Sequence, residues 1–329
     1  MIEYAQPVLL AGYLLFGVWL AARMVLTDTE ITHLPGHLAR ARRDHEADLG
    51  CAGHQYPIVG GVMRFPWRMP GEYWLFRWVP WLPPRWQLGC ARGFSLIIGA
   101  VGVWATMAHA TALGGPWAGT LTGMMIASQA TLVGTAATAS YQSTVALLWE
   151  IGVSGVAPVT AGVGLALVRH TSFPMAALLW ALTWTRPALI AALLVTALIV
   201  WRYPGVVQNL IRPTRLRAPR DVTWMYAIKT AVQRYESFVV WVPLALVGWR
   251  ATPWRLIAIS FGTLAVTHGR RAQAWPKLVV GHLYDFHLPI VVALAVMLAS
   301  VPTTPWMIGA IACATLWGLV RPRHPALPR

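Results

Sequence analysis

Asp28 and Glu30 stand in the segment "TDTE", where the first apolar stretch of the chain ends. A carboxylate fixed at the end of an apolar helix can serve as a general base. The plainer alternative is a helix C-terminus meeting water, although negative charge is unfavourable at that end of a helix dipole. Glu150 is the only carboxylate well inside an apolar segment. An ionisable group there either binds a proton or cation or pairs with a base such as Arg169 or Arg186. His282 and Asp285 lie three apart in "WPKLVVGHLYDFHLP", with Lys277 and His287 beside them. That spacing makes them neighbours on a helix face, the geometry of an acid–base pair or half a metal site.

Other candidates are incomplete. His33 and His37 have HxxxH spacing, but Pro35 separates them and Leu34 occupies the glutamate position of an HExxH site. No adjacent histidines and no CxxC pair occur, so no metal site is expected. Asp44 and Asp48 form a lone DxxxD with no second acidic motif.

The elements that must hold these residues are apolar helices. Of 329 residues, 57% are hydrophobic and 11% charged, and mean hydropathy is +0.55. A soluble domain carries about 25% charged residues. Apolar runs cover Tyr4–Leu26, Phe94–Leu113, Trp117–Ala139, Thr144–Val168, Pro187–Trp201, Phe238–Trp249, Leu256–Val266, Pro289–Val301 and Trp306–Val320. Several reach the roughly 20 residues a bilayer-crossing helix needs, and none alternates as a membrane barrel strand does. The sequence therefore predicts an all-α, polytopic integral membrane protein of about nine (8–10) transmembrane helices. Its expected organisation is a first span over 1–27, a long loop over 28–92, helices 2–5 over 93–203, a basic loop over 204–236, helices 6–9 over 237–320 and a basic tail over 321–329. The acidic start and long apolar run of the N-terminus argue against a cleavable signal.

The net charge of +15 gathers between spans, in Arg40–Arg92, Arg202–Arg234, Arg270–Lys277 and Arg321–Arg329. This pattern reads as sidedness rather than nucleic-acid binding, with the C-terminus cytoplasmic. It also suits contact with anionic lipid headgroups. If 172–203 crosses once, there are nine spans and every long basic loop is cytoplasmic, but Arg186 lies near mid-membrane. If it crosses twice around Arg186–Pro187, the first loop is extracytoplasmic while the other basic loops stay inside. The nine-span form is the leading expectation, because the first half of that stretch is short for a span. Cys51 and Cys90 share the first loop, joined by a disulfide in an oxidising compartment or left as thiols in the cytoplasm. The same loop interleaves Trp67, Trp74, Trp78, Trp81 and Trp86 with Arg64, Arg68, Arg77 and Arg85. Tryptophan with arginine suits interfacial helices or re-entrant turns in the headgroup region, or a groove for a lipid tail.

One span, then "TDTE", then a long loop with "YPIVGGVMRFP", then a Trp-rich stretch and many spans, resembles the C-type membrane glycosyltransferases that take sugars from polyprenyl-phosphate donors. The likeness covers the first third of the chain. It implies an essential acid at Asp28 or Glu30, a Tyr-Pro segment at Tyr56–Pro57 and an extracytoplasmic first loop. Separately, Gly152-Val153-Ser154-Gly155 looks like the GxSG of rhomboid intramembrane proteases, although no histidine follows at the spacing that chemistry needs. Two classes of function are in view. The first is a lipid-dependent group transferase, with Asp28 or Glu30 as base and Tyr56, Arg64, Arg68, Glu150, Arg186, Lys277, His282 and Asp285 as candidate substrate contacts. The second is a non-enzymatic component, either a transporter centred on Glu150 or a subunit of a larger membrane complex. Membrane lipids, anionic or polyprenyl-phosphate, are the expected partners, in a bacterial or archaeal cell membrane; no cofactor is indicated.

Overall fold

The computed structural model describes residues 2–25, 30, 58–59, 62–63, 71, 74–168, 172–202, 238–260, 262 and 276–320. Almost all of them are helical, apart from a two-residue antiparallel pair in which Ile58–Val59 faces Val62–Met63. The first helix, α1 (Ile2–Arg23), is apolar and long enough to span. Next comes α2 (Pro84–Ala127), which starts well inside the expected first loop and is not one rod. Gly115 has φ +80°, a conformation that L side chains rarely adopt, and Pro116 restarts the helix with its preset φ. The chain reverses there, so Gly119 of the second arm packs against Thr111 and Met107 of the first.

From that reversal a broken helix runs back. It comprises 116–127 and α3 (Ala130–Ala136), interrupted at Ser128–Gln129. Broken backbone is tolerated at membrane depth only inside protein, and both residues are buried. Trp241 donates its indole N–H to Ser128 Oγ at 3.4 Å, and Gly318 lies against the Ser128 carbonyl where no larger residue fits. Then follow α4 (Gln142–Val153), α5 (Pro158–Val168), α6 (Phe173–Thr183) and α7 (Arg186–Arg202). Beyond these are α8 (Phe238–Leu246), helical residues 254–260, α9 (Pro276–Ala299) and α10 (Pro305–Val320).

Contacts give the directions. Tyr13 meets Gly99 and Gln6 meets Thr111, so α1 is antiparallel to the first arm of α2. Gly102 faces Leu147 and Leu288, and Gly114 faces Val296, so α4 and α9 run parallel to that arm. Val168 meets Gly71 and thereby returns to the end where α2 begins. The bundle thus has an Arg92 end and a Gly115 end. Arg250 and Arg255 sit with the 3-10 turn Trp249–Ala251 at the Gly115 end.

Two expectations about span number are corrected. Thr144–Val168 is a pair of helices, because Gly155 (φ +82°) turns the chain after α4. Residues 172–203 also form two helices, since Trp184 closes α6 in the left-handed region and Arg186 opens α7. Arg186 is therefore exposed at a helix start and not held at mid-membrane, and the one-crossing basis of nine spans is lost. Helix α9 begins at the end where α2 begins, and the basic loops on which the ten-span sidedness turns lie outside the described residues.

The outer surface is that of a membrane protein. Helix α7 exposes Leu189, Ile190, Leu193, Leu194 and Val200 between Trp184 and Trp201. Its 17 residues measure about 25 Å at 1.5 Å per residue, close to the apolar thickness of a bilayer. Trp–Arg pairs mark both ends, with Arg23 over Trp19 at 4.6 Å and Arg250 over Trp249 at 6.0 Å. Such aromatic belts sit at headgroup level.

Close packing at the reversal gives a test. Gly119→Val should destabilise the detergent-solubilised protein by about 1–3 kcal/mol through overpacking against Met107 and Thr111. Gly12→Ala, with nothing within 4 Å, should change it by less than about 0.5 kcal/mol in the same thermal-unfolding measurement.

Candidate functional site

Arg92 sits in the third turn of α2, facing the C-terminal end of α1. Its Nε donates to Glu30 Oε1 at 2.7 Å and its Nη2 to Glu30 Oε2 at 2.8 Å, a bidentate fork. Nη1 donates to the carbonyls of Ala21 (2.6 Å) and Met24 (3.1 Å), and Nη2 also donates to Val25 (3.2 Å). All five N–H groups of the guanidinium are used. Three of them satisfy carbonyls that the end of α1 leaves without helical partners, and the cation complements the negative end of that helix.

Glu30 is wholly buried and also accepts the backbone N–H of Ala139 at 3.1 Å. Ser95 Oγ and the Ser140 backbone exchange contacts of 3.3–3.4 Å beside it. Over this cluster lie Phe76 and Val79, packed with Ala91 and Ala139, while Trp78 and Phe76 meet Phe94 edge-on. These residues belong to the short turn and 3-10 segment before α2, which leaves Trp74 and Trp81 exposed as interfacial anchors.

This geometry divides the expected acidic pair. Glu30 is a structural anion with both oxygens held by Arg92, and nothing shows it open to a substrate. Asp28 lies outside the described residues, as do Tyr56, Arg64 and Arg68, together with His33, His37, Asp44, Asp48, Cys51 and Arg169. Lys277, His282 and Asp285 fall on the first turns of α9, with their side chains outside the described set. Cys90 is a free thiol, and the Cys51–Cys90 alternatives turn on Cys51, outside the described residues.

Glu150 pairs with neither Arg169 nor Arg186. It is fully buried, and its Oε1 lies 2.6 Å from His109 Nδ1 of α2. Seventeen residues separate His109 from Arg92 along α2, about 26 Å, so the Arg92–Glu30 ion pair and the His109–Glu150 contact belong to different places. Arg186 is apart from both. Ser154 ends α4 and donates its hydroxyl to Ile151 at 3.0 Å, with no described histidine on it. Among the described residues, no three His, Cys, Asp or Glu side chains gather as a metal site would require.

Arg92 and His109 are the residues that sequence reasoning passed over. Arg92 was hidden in a basic cluster read as sidedness. His109 is the lone ionisable residue in the run 93–149, a signal of the same kind as Glu150.

No protein-family model and no curated protein matches the chain. The fold is similar to the crystal structure of ArnT from Cupriavidus metallidurans bound to undecaprenyl phosphate, with TM-score 0.58 and 16% identity. The match covers 97% of this chain and 62% of that one, so this chain spans less than two thirds of its length. At this identity the likeness concerns the fold.

The Arg92 cluster makes a quantitative expectation. Arg92→Met should cost about 3–5 kcal/mol in thermal or denaturant unfolding, because it strands a buried carboxylate. Adding Glu30→Gln to Arg92→Met should recover part of that loss, since the unpaired charge is gone.

Proposed function

We propose that the chain is a lipid-dependent membrane group transferase that uses a polyprenyl-phosphate-type, lipid-linked substrate at the Arg92 end of the bundle. The observation that carries this reading is the fold likeness to a structure holding undecaprenyl phosphate. It agrees with the resemblance of the first third to C-type glycosyltransferases.

In this reading the two acids take different parts. Arg92 fixes Glu30 against the end of α1. Asp28 is two residues away, so the backbone can carry it no further than about 7 Å from Glu30. Asp28 is then the general base, and Glu30 the anchor that positions it. Exposed Trp74, Trp81 and Trp86 on the same end suit a lipid-tail entrance, and Arg64 and Arg68 supply cations for the phosphate. The long arginine-rich segments adjoining this end carry two meanings at once, sidedness and phosphate affinity. The transferase reading requires this end to be extracytoplasmic.

Two measurements test it. Asp28→Asn should abolish transfer from a polyprenyl-phosphate-linked sugar donor while leaving the yield of folded protein unchanged; Glu30→Gln should instead lower the yield. Activity surviving in Asp28→Asn would refute the assignment. Cys51 should react with a membrane-impermeant thiol reagent from the extracytoplasmic side, and labelling from the cytoplasm alone would sink the transferase reading.

A further inference from the structure

We infer that His109 and Glu150 form a proton-binding site inside the bundle, in its Gly115 half. It is independent of the transferase reading, whose residues lie at the other end.

Glu150 is fully buried, and only one of its oxygens is used: Oε1 faces His109 Nδ1 at 2.6 Å, while Oε2 has no hydrogen-bond partner. A buried carboxylate oxygen without a donor is costly when it carries charge. A proton on the pair removes that cost, and two ionisable groups in contact gain and lose protons as a unit. The proton comes from water, the pair gains one positive charge, and nothing is oxidised or reduced.

Among the described residues packed around the pair, none supplies a second charge. Ala110 and Val153, beside His109 and Glu150, pack with Leu256, Val292 and Ala293. Leu179 of α6 lies against Gly152, and α1 contributes only the neutral Gln6, which donates to Thr111. On α2 the sequence between Arg92 and His109 holds no ionisable group. On α9, His287 lies nine residues, about two and a half turns, before Val296, the neighbour of Gly114, and borders the same cavity as Gly99 and Gly102, towards the Arg92 end. Arg250 and Arg255 are exposed at the Gly115 end.

Six residues of α2, about 9 Å, separate His109 from the turn at Gly115, and His109 keeps 10% of its side chain exposed. Towards the Arg92 end, Gly102, Val103 and Ala146 border a cavity with Tyr13, Ser143 and His287; its volume is about 10 Å³, space for roughly one water.

Infrared pH-difference spectra of the full chain in lipid vesicles, wild type minus Glu150→Gln, test the site. A protonated-carboxyl band should appear on acidification and be lost in Glu150→Gln. In His109→Gln, which keeps the carboxyl but removes its partner, the pH profile of the band should change. No band at any pH, or an unchanged profile in His109→Gln, would overturn the proposal.

Discussion

A guanidinium with every N–H engaged holds the two earliest helices together. Arg92 closes the carbonyl end of α1, neutralises Glu30 and, through Glu30, fixes the turn at Ala139. Three separated parts of the chain meet at one planar cation. A buried ion pair is weak evidence of stability when its remaining hydrogen bonds are missing. Here they are made, which allows a full charge of each sign to sit under an apolar roof of Phe76 and Val79.

The composition made the helical membrane class legible, and the tryptophans and arginines of the first loop marked an interface that the structure retains at Trp74 and Trp81. The number of helices was harder to read. Hydropathy sees Thr144–Val168 as one run because Ser154 and Gly155 are small and uncharged, yet a single positive φ at Gly155 divides it. Trp184 divides 172–203 in the same manner, with an aromatic residue where sequence patterns look for glycine. Conversely, α9 begins thirteen residues before its apolar run, at Pro276, because polar residues such as His282 and Asp285 do not interrupt a helix.

The site residues were legible by type and not by partner. Glu150 stood out as a carboxylate in an apolar run, but the histidine that meets it comes from 41 residues earlier, and Glu30 finds its partner 62 residues later. Spacing within one helix cannot report such pairs, because they are set by which helices lie side by side. Fold likeness reaches further than sequence likeness here for the same reason: helix order and contact survive at 16% identity.

The reversal at Gly115 bears on how the protein enters a bilayer. From Gly93 to Trp149 the sequence has no charged residue except by protonation of His109, and its turn is made by Gly-Pro without any polar anchor. Neither arm nor the turn between them carries a fixed charge that would have to cross. Arg92 is the last charge before this hairpin, and its guanidinium covers the bare carbonyls of α1, so the carbonyl end of the first helix is satisfied only where the hairpin packs against it.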